Sequence, residues 1–167
     1  MDNTVKKAAW ASAKFNGDFY CIETYSGFRG GSGDPLGMQH LLSPDAANEV
    51  LGVALLNALA HSRFITDEKE LRSFNNYEKR VAEYAKWVGG LMQRYGYKNK
   101  QRLFKSMESC QITCQDEIIK ITPYRHEKLE AWGREKDDGI EDVVINKNAP
   151  PEEIGAALRV AFERCVS

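Results

Sequence analysis

The sequence has no hydrophobic run of the kind that crosses a membrane. No apolar stretch approaches the roughly 20 residues that a spanning helix needs. The segment Met1–Lys7 also lacks the apolar core of a signal peptide. We therefore expect a protein that has no membrane partner and works in the cytoplasm.

An excess of charge of either sign is also missing. Lysine and arginine number 23, aspartate and glutamate number 24, and the net charge is −1. This balance argues against the basic surface of a typical nucleic-acid-binding protein and against an acidic disordered chain. With a mass of 18.9 kDa, residues 1–167 are predicted to form a single domain with a sizeable core.

Cysteine and histidine are sparse, and their spacing fits neither a disulfide framework nor a metal site. The four cysteines are expected to be reduced, buried thiols. Cys110 and Cys114 are four positions apart, and no histidine stands at ligand spacing to them. We predict neither a metal nor a cofactor.

Catalytic motifs are absent as well. Residues 27–33, Gly-Phe-Arg-Gly-Gly-Ser-Gly, lack the Gly-Lys-Ser/Thr ending of a P-loop, and no helix follows directly as dinucleotide binding requires. We interpret this segment as a mobile turn region. Side chains that could act as acid and base in a nuclease are scattered along the chain, at His40, Lys120, Arg125 and His126. Because nothing in the sequence brings them together, we predict that the protein is not an enzyme.

What the sequence does contain is a helix pattern that occurs twice. Near the carboxyl end, apolar residues recur at the spacing of one helical face, at Ile154, Ala157, Leu158, Ala161, Phe162 and Cys165. A shift of 103 positions aligns this helix with an earlier one and superimposes Gly155 on Gly52. A glycine inside a helix costs roughly 1 kcal/mol relative to alanine. Its recurrence at one phase predicts an internal repeat in which each glycine lets another backbone approach closely.

Short strands precede both helices. Asn16-Gly17 separates two apolar segments, residues 6–15 and 19–25, and predicts a β-hairpin. A short strand within residues 36–42 and a helix over 45–63 follow. Strands are predicted over residues 101–107, 111–115, 117–122 and 142–145. The predicted fold is therefore α+β, with two antiparallel sheet-plus-helix halves, about residues 5–64 and 101–167, related by the repeat.

A helical connector over residues 66–96 is predicted between the halves. Its apolar residues advance by four and three positions, at Tyr77, Val81, Tyr84, Val88, Leu91 and Tyr95. This spacing favours one long helix that is interrupted or bent near Gly89-Gly90. We interpret the aromatic stripe as a core-facing surface, with a ligand-binding surface as the alternative.

Two short segments carry concentrated charge. Residues 94–105 interleave five basic residues with Tyr95, Tyr97 and Phe104, a pattern that can track single-stranded nucleic acid. Residues 135–142 carry five acids and one lysine, a local charge of −4, and Gly139 predicts a loop there. The acidic residues are Glu135, Asp137, Asp138, Glu141 and Asp142. As a binding surface they would attract a basic partner, whereas the alternative is a solvated loop.

Several of these local patterns together resemble the immunity proteins of bacterial contact-dependent growth-inhibition systems. The first half contributes Thr24-Tyr25-Ser26-Gly27-Phe28, Asp34-Pro35, the helix from Leu51-Gly52 to Ala58, and Ser62-Arg63-Phe64. The second half contributes Asp142-Val143-Val144-Ile145, the run Pro151-Glu152-Glu153-Ile154-Gly155-Ala156-Ala157-Leu158-Arg159, and Arg164-Cys165. The resemblance covers residues 10–64 and 117–166, and residues 65–102 match nothing.

This resemblance implies a cytosolic protein that binds the cognate toxin domain of an imported effector and blocks its active site or an adjacent surface. Such toxins are commonly nucleases that attack tRNA or other RNA. The acidic residues 135–142 would then meet the basic substrate face of the toxin.

The doubled strand-and-helix pattern also resembles the whirly fold, which is known from single-strand DNA-binding proteins. Lys6-Lys7-Ala8-Ala9-Trp10 is faintly similar to the basic strand motif of that family. A whirly-like single-stranded nucleic-acid-binding module is therefore the alternative function. Because a fold does not determine function, we expect that nucleic acid is not the partner.

Overall fold

A computed structural model of the protein describes residues 5–167. Met1–Thr4, part of the segment from which export was judged, lie outside the described residues. The described chain is a mixture of five α-helices and nine strands, in agreement with the predicted α+β class. No helix in this range is long and apolar enough to cross a membrane.

The first half of the chain begins with the predicted hairpin. Its elements are β1 (Ala9–Phe15), β2 (Tyr20–Gly27), β3 (Gly31–Gly33), β4 (Gln39–Leu42) and α1 (Asn48–Ala60). Gly17 has a φ of 94°, and the Asn16 side chain accepts hydrogen bonds from the backbone N–H groups of Asp18 and Phe19. The turn therefore uses Asn16 for its side-chain oxygen and Gly17 for its conformation.

The middle of the chain differs from the prediction at two points. It forms α2 (Glu68–Phe74), α3 (Tyr77–Tyr95) and α4 (Lys100–Phe104). The helical segment breaks at Asn75-Asn76, not near Gly89-Gly90, because the Asn76 side chain caps α3 by accepting from the backbone N–H of Lys79. The strand predicted over residues 101–107 was wrong, since these residues contribute to α4. Its start is capped by Asn99, whose side chain accepts from the Arg102 N–H.

The second half supplies the remaining strands and the last helix. They are β5 (Glu108–Gln115), β6 (Ile118–Pro123), β7 (Arg125–Lys128), β8 (Ala131–Gly133), β9 (Val143–Asn146) and α5 (Pro151–Glu163). The turn between β5 and β6 is formed by Asp116 and Glu117, both at positive φ. It is a two-residue connection of the type that suits the twist of a hairpin.

Seven of the strands form one sheet, in which the halves are joined. The order is β3-β2-β1-β5-β6-β9, with β4 also paired to β2, and β7 and β8 form a separate two-stranded sheet. The strands β1 and β5 are antiparallel over their whole length, from Ala9 opposite Cys114 to Phe15 opposite Glu108. The expectation of one antiparallel sheet in each half is therefore corrected to a single sheet that both halves share.

One face of this sheet is covered by α1 and α5. Alternate residues of the central strands, such as Ala11, Ile22 and Ile112, are completely buried beneath the two helices. A Cβ atom on Gly52 would lie 1.8 Å from the Pro151 carbonyl oxygen, and a Cβ on Gly155 would lie 1.8 Å from that of Asn48. The prediction that each glycine admits another backbone is confirmed.

The opposite face of the sheet packs against α3, α4 and Trp132 of the β7–β8 hairpin. A second core cluster forms there from Phe19, Cys21, Val88, Leu91, Leu103, Phe104 and Met107. The interpretation of the α3 stripe as core holds for its carboxyl-terminal part and was wrong for its start. Tyr77, Val81 and Tyr84 are 79%, 50% and 41% exposed, because the first turns of α3 extend beyond the cluster.

All four cysteines are free thiols. Cys21 and Cys110 are buried, while Cys114 and Cys165 are half-buried. The Sγ atoms of Cys110 and Cys165 lie 3.7 Å apart. The expectation of buried thiols is met by two of the four side chains.

Candidate functional site

A cleft of about 390 Å³ lies between the first half of α3 and the face of the sheet opposite α1 and α5. We call it the α3 cleft. The sheet contributes Lys14, Glu23 and Tyr25, the segment after β2 contributes residues 31–35, and α3 contributes Arg80, Glu83, Tyr84 and Trp87. Lys14, Glu23 and Tyr25 line the cleft because side chains alternate between the two faces of a strand. Their neighbours along each strand lie beneath α1 and α5, so these three lie on the opposite face.

Lys14 forms the floor of the α3 cleft. It is only 9% exposed, and its Nζ donates to the Ser12 hydroxyl at 2.8 Å. The rings of Tyr25, Trp87 and Trp132 surround the ammonium group, with centroids 5.6 to 5.8 Å away. Burial alone would lower the pKa of Lys14, but interactions with Tyr25, Glu23 and Cys21 outweigh that effect and raise the pKa. The side chain is therefore a buried cation at neutral pH.

Glu23 is the carboxylate nearest to Lys14 on the sheet. It faces Ser12 across the strand pair, one step diagonally from Lys14. Its Oε2 accepts from the Gln39 side chain at 3.4 Å. Burial raises the pKa of Glu23, and the charge of Lys14 opposes that rise.

Arg80 closes the cleft from the α3 side. Its Nη2 donates to the Gly33 carbonyl oxygen, and its guanidinium carbon lies 4.8 Å from the centroid of Phe74. The other terminal nitrogen, Nη1, is buried and has no hydrogen-bond partner among the described residues. The indole Nε1 of Trp87 is likewise buried and has no hydrogen-bond partner among the described residues. A buried donor without a partner costs about 1–3 kcal/mol.

The wall of the cleft is fixed by the ion pair between Asp34 and Arg63. Arg63 donates to the two carboxylate oxygens of Asp34 at 2.7 and 3.0 Å. The Ser26 hydroxyl and the Leu36 N–H also donate to this carboxylate, at 2.6 and 3.0 Å. The predicted mobile turn at residues 27–33 is in part the strand β3, and Asp34 anchors its end.

The β7–β8 hairpin meets α3 at the side of the cleft. Tyr84 donates to Glu130 at 2.8 Å, and the side chain of Lys100 lies 3.6 Å from the same carboxylate. Trp132, on β8, donates to the Met107 carbonyl oxygen at 2.8 Å. The first contact joins the hairpin to α3, and the other two join it to α4 and to the residue just before β5.

The acidic segment, residues 135–142, lies between β8 and β9 and is organised by Arg134. Arg134 donates to Asp138 at 2.8 and 3.0 Å and to Asp142 at 3.3 Å. These hydrogen bonds hold the pKa of Asp138 well below its usual range. Glu135, Asp137 and Glu141 remain exposed. Arg134 stands one position before the segment from which the local charge of −4 was counted. Its positive charge therefore neutralises part of the negative charge predicted there.

The basic and aromatic segment, residues 94–105, does not offer its rings to a ligand. Phe104 is fully buried, and Tyr95 stacks on Phe19 with centroids 4.3 Å apart. Tyr97 donates to Asp18 and accepts from the Asn16 amide. Aromatic rings engaged in a core cannot stack on nucleobases, which weakens the nucleic-acid hypothesis.

The three histidines considered for catalysis or metal binding each have a hydrogen-bond partner of their own. His40 and His61 both contact Asn57, and His126 contacts the Leu129 carbonyl oxygen. Within residues 5–167, no three histidine, cysteine, aspartate or glutamate side chains converge as metal ligands would. The α3 cleft was missed from the sequence, although Arg80 and Trp87 lie on the same helix as the predicted stripe.

Comparison with known families identifies the class of protein to which this chain belongs. The family model described as CDI immunity protein, CdiI, matches residues 9–165. The chain therefore belongs to the CDI immunity protein family, and the resemblance seen in the sequence is confirmed.

Individual relatives cover almost the whole chain. Immunity protein CdiI-YPIII from Yersinia pseudotuberculosis serotype O:3 (strain YPIII) is 46% identical over 174 aligned residues, with 98% of both chains covered. A chain in the solved CdiA-CT/CdiI toxin and immunity complex from Yersinia pseudotuberculosis is 45% identical with a TM-score of 0.88, covering 95% of this chain and 98% of that one. A protein of unknown function from Neisseria meningitidis is 40% identical with a TM-score of 0.88, covering 99% of both.

Proposed function

We propose that this immunity protein binds and neutralises the C-terminal toxin domain of its cognate CDI effector in the cytoplasm. The observation that carries the proposal is the relative of 45% identity and TM-score 0.88 that was solved together with its toxin. The fully buried thiols of Cys21 and Cys110 are compatible with a reducing compartment.

We further propose that the toxin is an RNA-cleaving nuclease and that the protein covers its active site or an adjacent surface without catalysis of its own. This finer statement is supported by the family resemblance and by the exposed acids of residues 135–142. An RNA-cleaving enzyme carries a basic substrate face, which such a segment would attract.

The decisive experiment is co-expression with the toxin domain encoded beside this gene. We expect the two proteins to co-purify as a complex, and we expect cells that express the toxin to grow only when the immunity protein is present. A noncognate immunity protein is the control. Failure both to co-purify and to restore growth would contradict the proposal.

The acidic segment is the first surface that we propose for toxin binding. Asp138 and Asp142 shape it through Arg134, while the other acids face solvent. We expect the variant Glu135→Gln, Asp137→Asn, Glu141→Gln to associate with the toxin about tenfold more slowly at low salt. Its free energy of unfolding should stay within about 0.5 kcal/mol of the parent value, because the three side chains are exposed.

Stopped-flow association at several salt concentrations measures this effect. A matched control neutralises three exposed acids of α1 and α5, namely Glu49, Glu152 and Glu163. If both triple variants associate at the same rate, the acidic segment is not part of the encounter surface.

We also propose that residues 1–167 form one domain built from two whirly-like repeats that flank the helices α2 to α4. Reciprocal contacts support this: Gly52 meets Pro151, and Gly155 meets Asn48. Asn48 and Pro151 stand 103 positions apart, as do Gly52 and Gly155. Two repeats of one chain that are related by a twofold axis would make such reciprocal contacts.

A further inference from the structure

Two of the four thiols, those of Cys110 and Cys165, are in contact although the residues are 55 positions apart in the sequence. Their Sγ atoms are 3.7 Å apart, compared with about 2.0 Å in a disulfide bond. Cys110 is fully buried in the core beneath α1 and α5, whereas Cys165 is half-buried. One residue of the pair is therefore partly open to solvent, and the other is reached only through it.

The backbone holds both residues of this pair in place. Cys110 lies within β5, which is paired on its two sides to β1 and β6. Cys165 follows the end of α5, and the next residue, Val166, donates its N–H to the Tyr124 carbonyl oxygen at 3.2 Å. The Val166 carbonyl oxygen accepts from the His126 N–H at 2.7 Å. The contact between the two sulfur atoms is therefore fixed by the fold on both sides.

The two thiols differ in acidity. The hydrogen bond with Cys110 lowers the pKa of Cys165, against the effect of burial, which alone would raise it. Burial raises the pKa of Cys110 well above its ordinary value. The thiolate is the reactive form of a cysteine side chain. Cys165 is therefore the member of the pair that reacts first with an oxidant, and Cys110 stands beside it as the second thiol.

We propose that Cys110 and Cys165 are a site of reversible disulfide formation, with a peroxide as the oxidant. The Cys165 thiolate attacks one oxygen of hydrogen peroxide, the O–O bond breaks, and sulfenic acid and hydroxide form. The Cys110 thiol then attacks the Cys165 sulfur, the S–O bond breaks, and the S–S bond forms with release of water. The hydroxide takes up the proton that Cys165 lost on ionisation, which gives the second water. Two thiols are oxidised, and one peroxide is reduced.

The disulfide joins the carboxyl-terminal end of α5 to a central strand of the sheet. It closes a long loop of the chain and so removes conformational entropy from the unfolded state, which stabilises the folded protein. In a reducing compartment both thiols stay free. The bond therefore forms when peroxide accumulates, and it keeps the immunity protein folded under that condition.

The test treats the reduced protein with hydrogen peroxide and follows its thiols. We expect two of the four free thiols to disappear, and peptide mapping without reductant to find Cys110 joined to Cys165. Dithiothreitol should restore both thiols. The melting temperature of the oxidised protein should be about 10 °C higher than that of the reduced protein. If all four thiols persist, or if Cys165 gains oxygen without a bond to Cys110, the proposal fails. An unchanged or lowered melting temperature would contradict the stabilising effect of the bond.

Serine variants separate the roles of the two thiols. We expect Cys110→Ser to stop at sulfenic acid on Cys165, which dimedone traps, because the second thiol is missing. Cys165→Ser should leave Cys110 unmodified, since that thiol is buried. In neither variant should peroxide raise the melting temperature. If dimedone labels Cys110 in Cys165→Ser but does not label Cys165 in Cys110→Ser, the order of the two steps is wrong.

Cys114→Ser is the matched control. Cys114 is half-buried, as Cys165 is, but it lies about 13 Å along β5 from Cys110, at four residues of strand rise. This variant should therefore form the same disulfide as the parent. If it does not, Cys114 takes part in the bond and the assigned pairing is wrong. The peptide map of the parent protein decides the pairing even if a serine variant fails to fold.

Discussion

The Gly155→Leu variant should lose about 3 kcal/mol or more of its free energy of unfolding. Any β-carbon at this position would lie 1.8 Å from the carbonyl oxygen of Asn48 and 2.6 Å from its carbonyl carbon. Because these are backbone atoms, relief requires α1 and α5 to move apart, which opens the core beneath them. The gain in helix propensity, roughly 1 kcal/mol, is too small to compensate. Equilibrium denaturation by urea measures the change.

Alanine substitutions provide a matched comparison. Gly155→Ala and Gly89→Ala make the same chemical change inside a helix, but a Cβ on Gly89 would have no atom within 4 Å. We expect Gly155→Ala to destabilise the protein and Gly89→Ala to stabilise it by up to about 1 kcal/mol. An unchanged or raised stability of Gly155→Leu would show that the two helices do not approach as closely as described.

Local patterns predicted the elements whose cause is local. The hairpin at Asn16-Gly17 and the two helices with the paired glycines follow from turn chemistry and from helical spacing. The glycines also predicted a tertiary contact, because a residue that weakens a helix is retained where a side chain would not fit. The joining of the halves through β1 and β5 involves residues about 100 positions apart, and no local pattern specifies that pairing.

The errors in the middle of the chain arise from asparagine caps. Asn76 and Asn99 each accept a hydrogen bond from a backbone N–H three residues later, and each therefore starts a helix. The break was placed at Gly89-Gly90 on glycine content alone. Asparagine is a residue type that commonly caps helices. Asn76 was therefore the feature of the sequence that indicated the break between α2 and α3.

The α3 cleft could not be predicted because its residues come from distant elements. Trp10, Ser12 and Lys14 alternate along β1, which by itself is typical of a strand face that is open to solvent. Lys14 is buried because α3 and the β7–β8 hairpin cover that face. Arg134 is adjacent to residues 135–142 in the sequence but was not counted with its partners, so the net charge of that surface was overestimated.

Replacing Asp34 with asparagine is expected to reduce the free energy of unfolding by about 2 kcal/mol at neutral pH. The carboxylate is fully buried, whereas the Arg63 side chain is 35% exposed. Loss of one partner from a fully buried pair costs about 3–5 kcal/mol, and the partial hydration of Arg63 reduces that cost. Glu70→Gln removes the outer contact of Arg63, at 3.1 Å from an exposed carboxylate. This control should change stability by less than about 0.5 kcal/mol.

The pH dependence of stability separates the charge of Asp34 from its shape. Burial alone would raise the pKa of Asp34, but hydrogen bonds from Arg63 and Ser26 outweigh it and hold the pKa below its ordinary value. The contribution of a depressed carboxyl pKa is present above the unfolded-state value, about 3.9, and is lost as the pH falls through the folded-state value. The difference in stability between the parent and Asp34→Asn should therefore be constant above about pH 5 and should shrink below about pH 4. A difference that is equally large at both extremes would show that folding does not lower the pKa of Asp34.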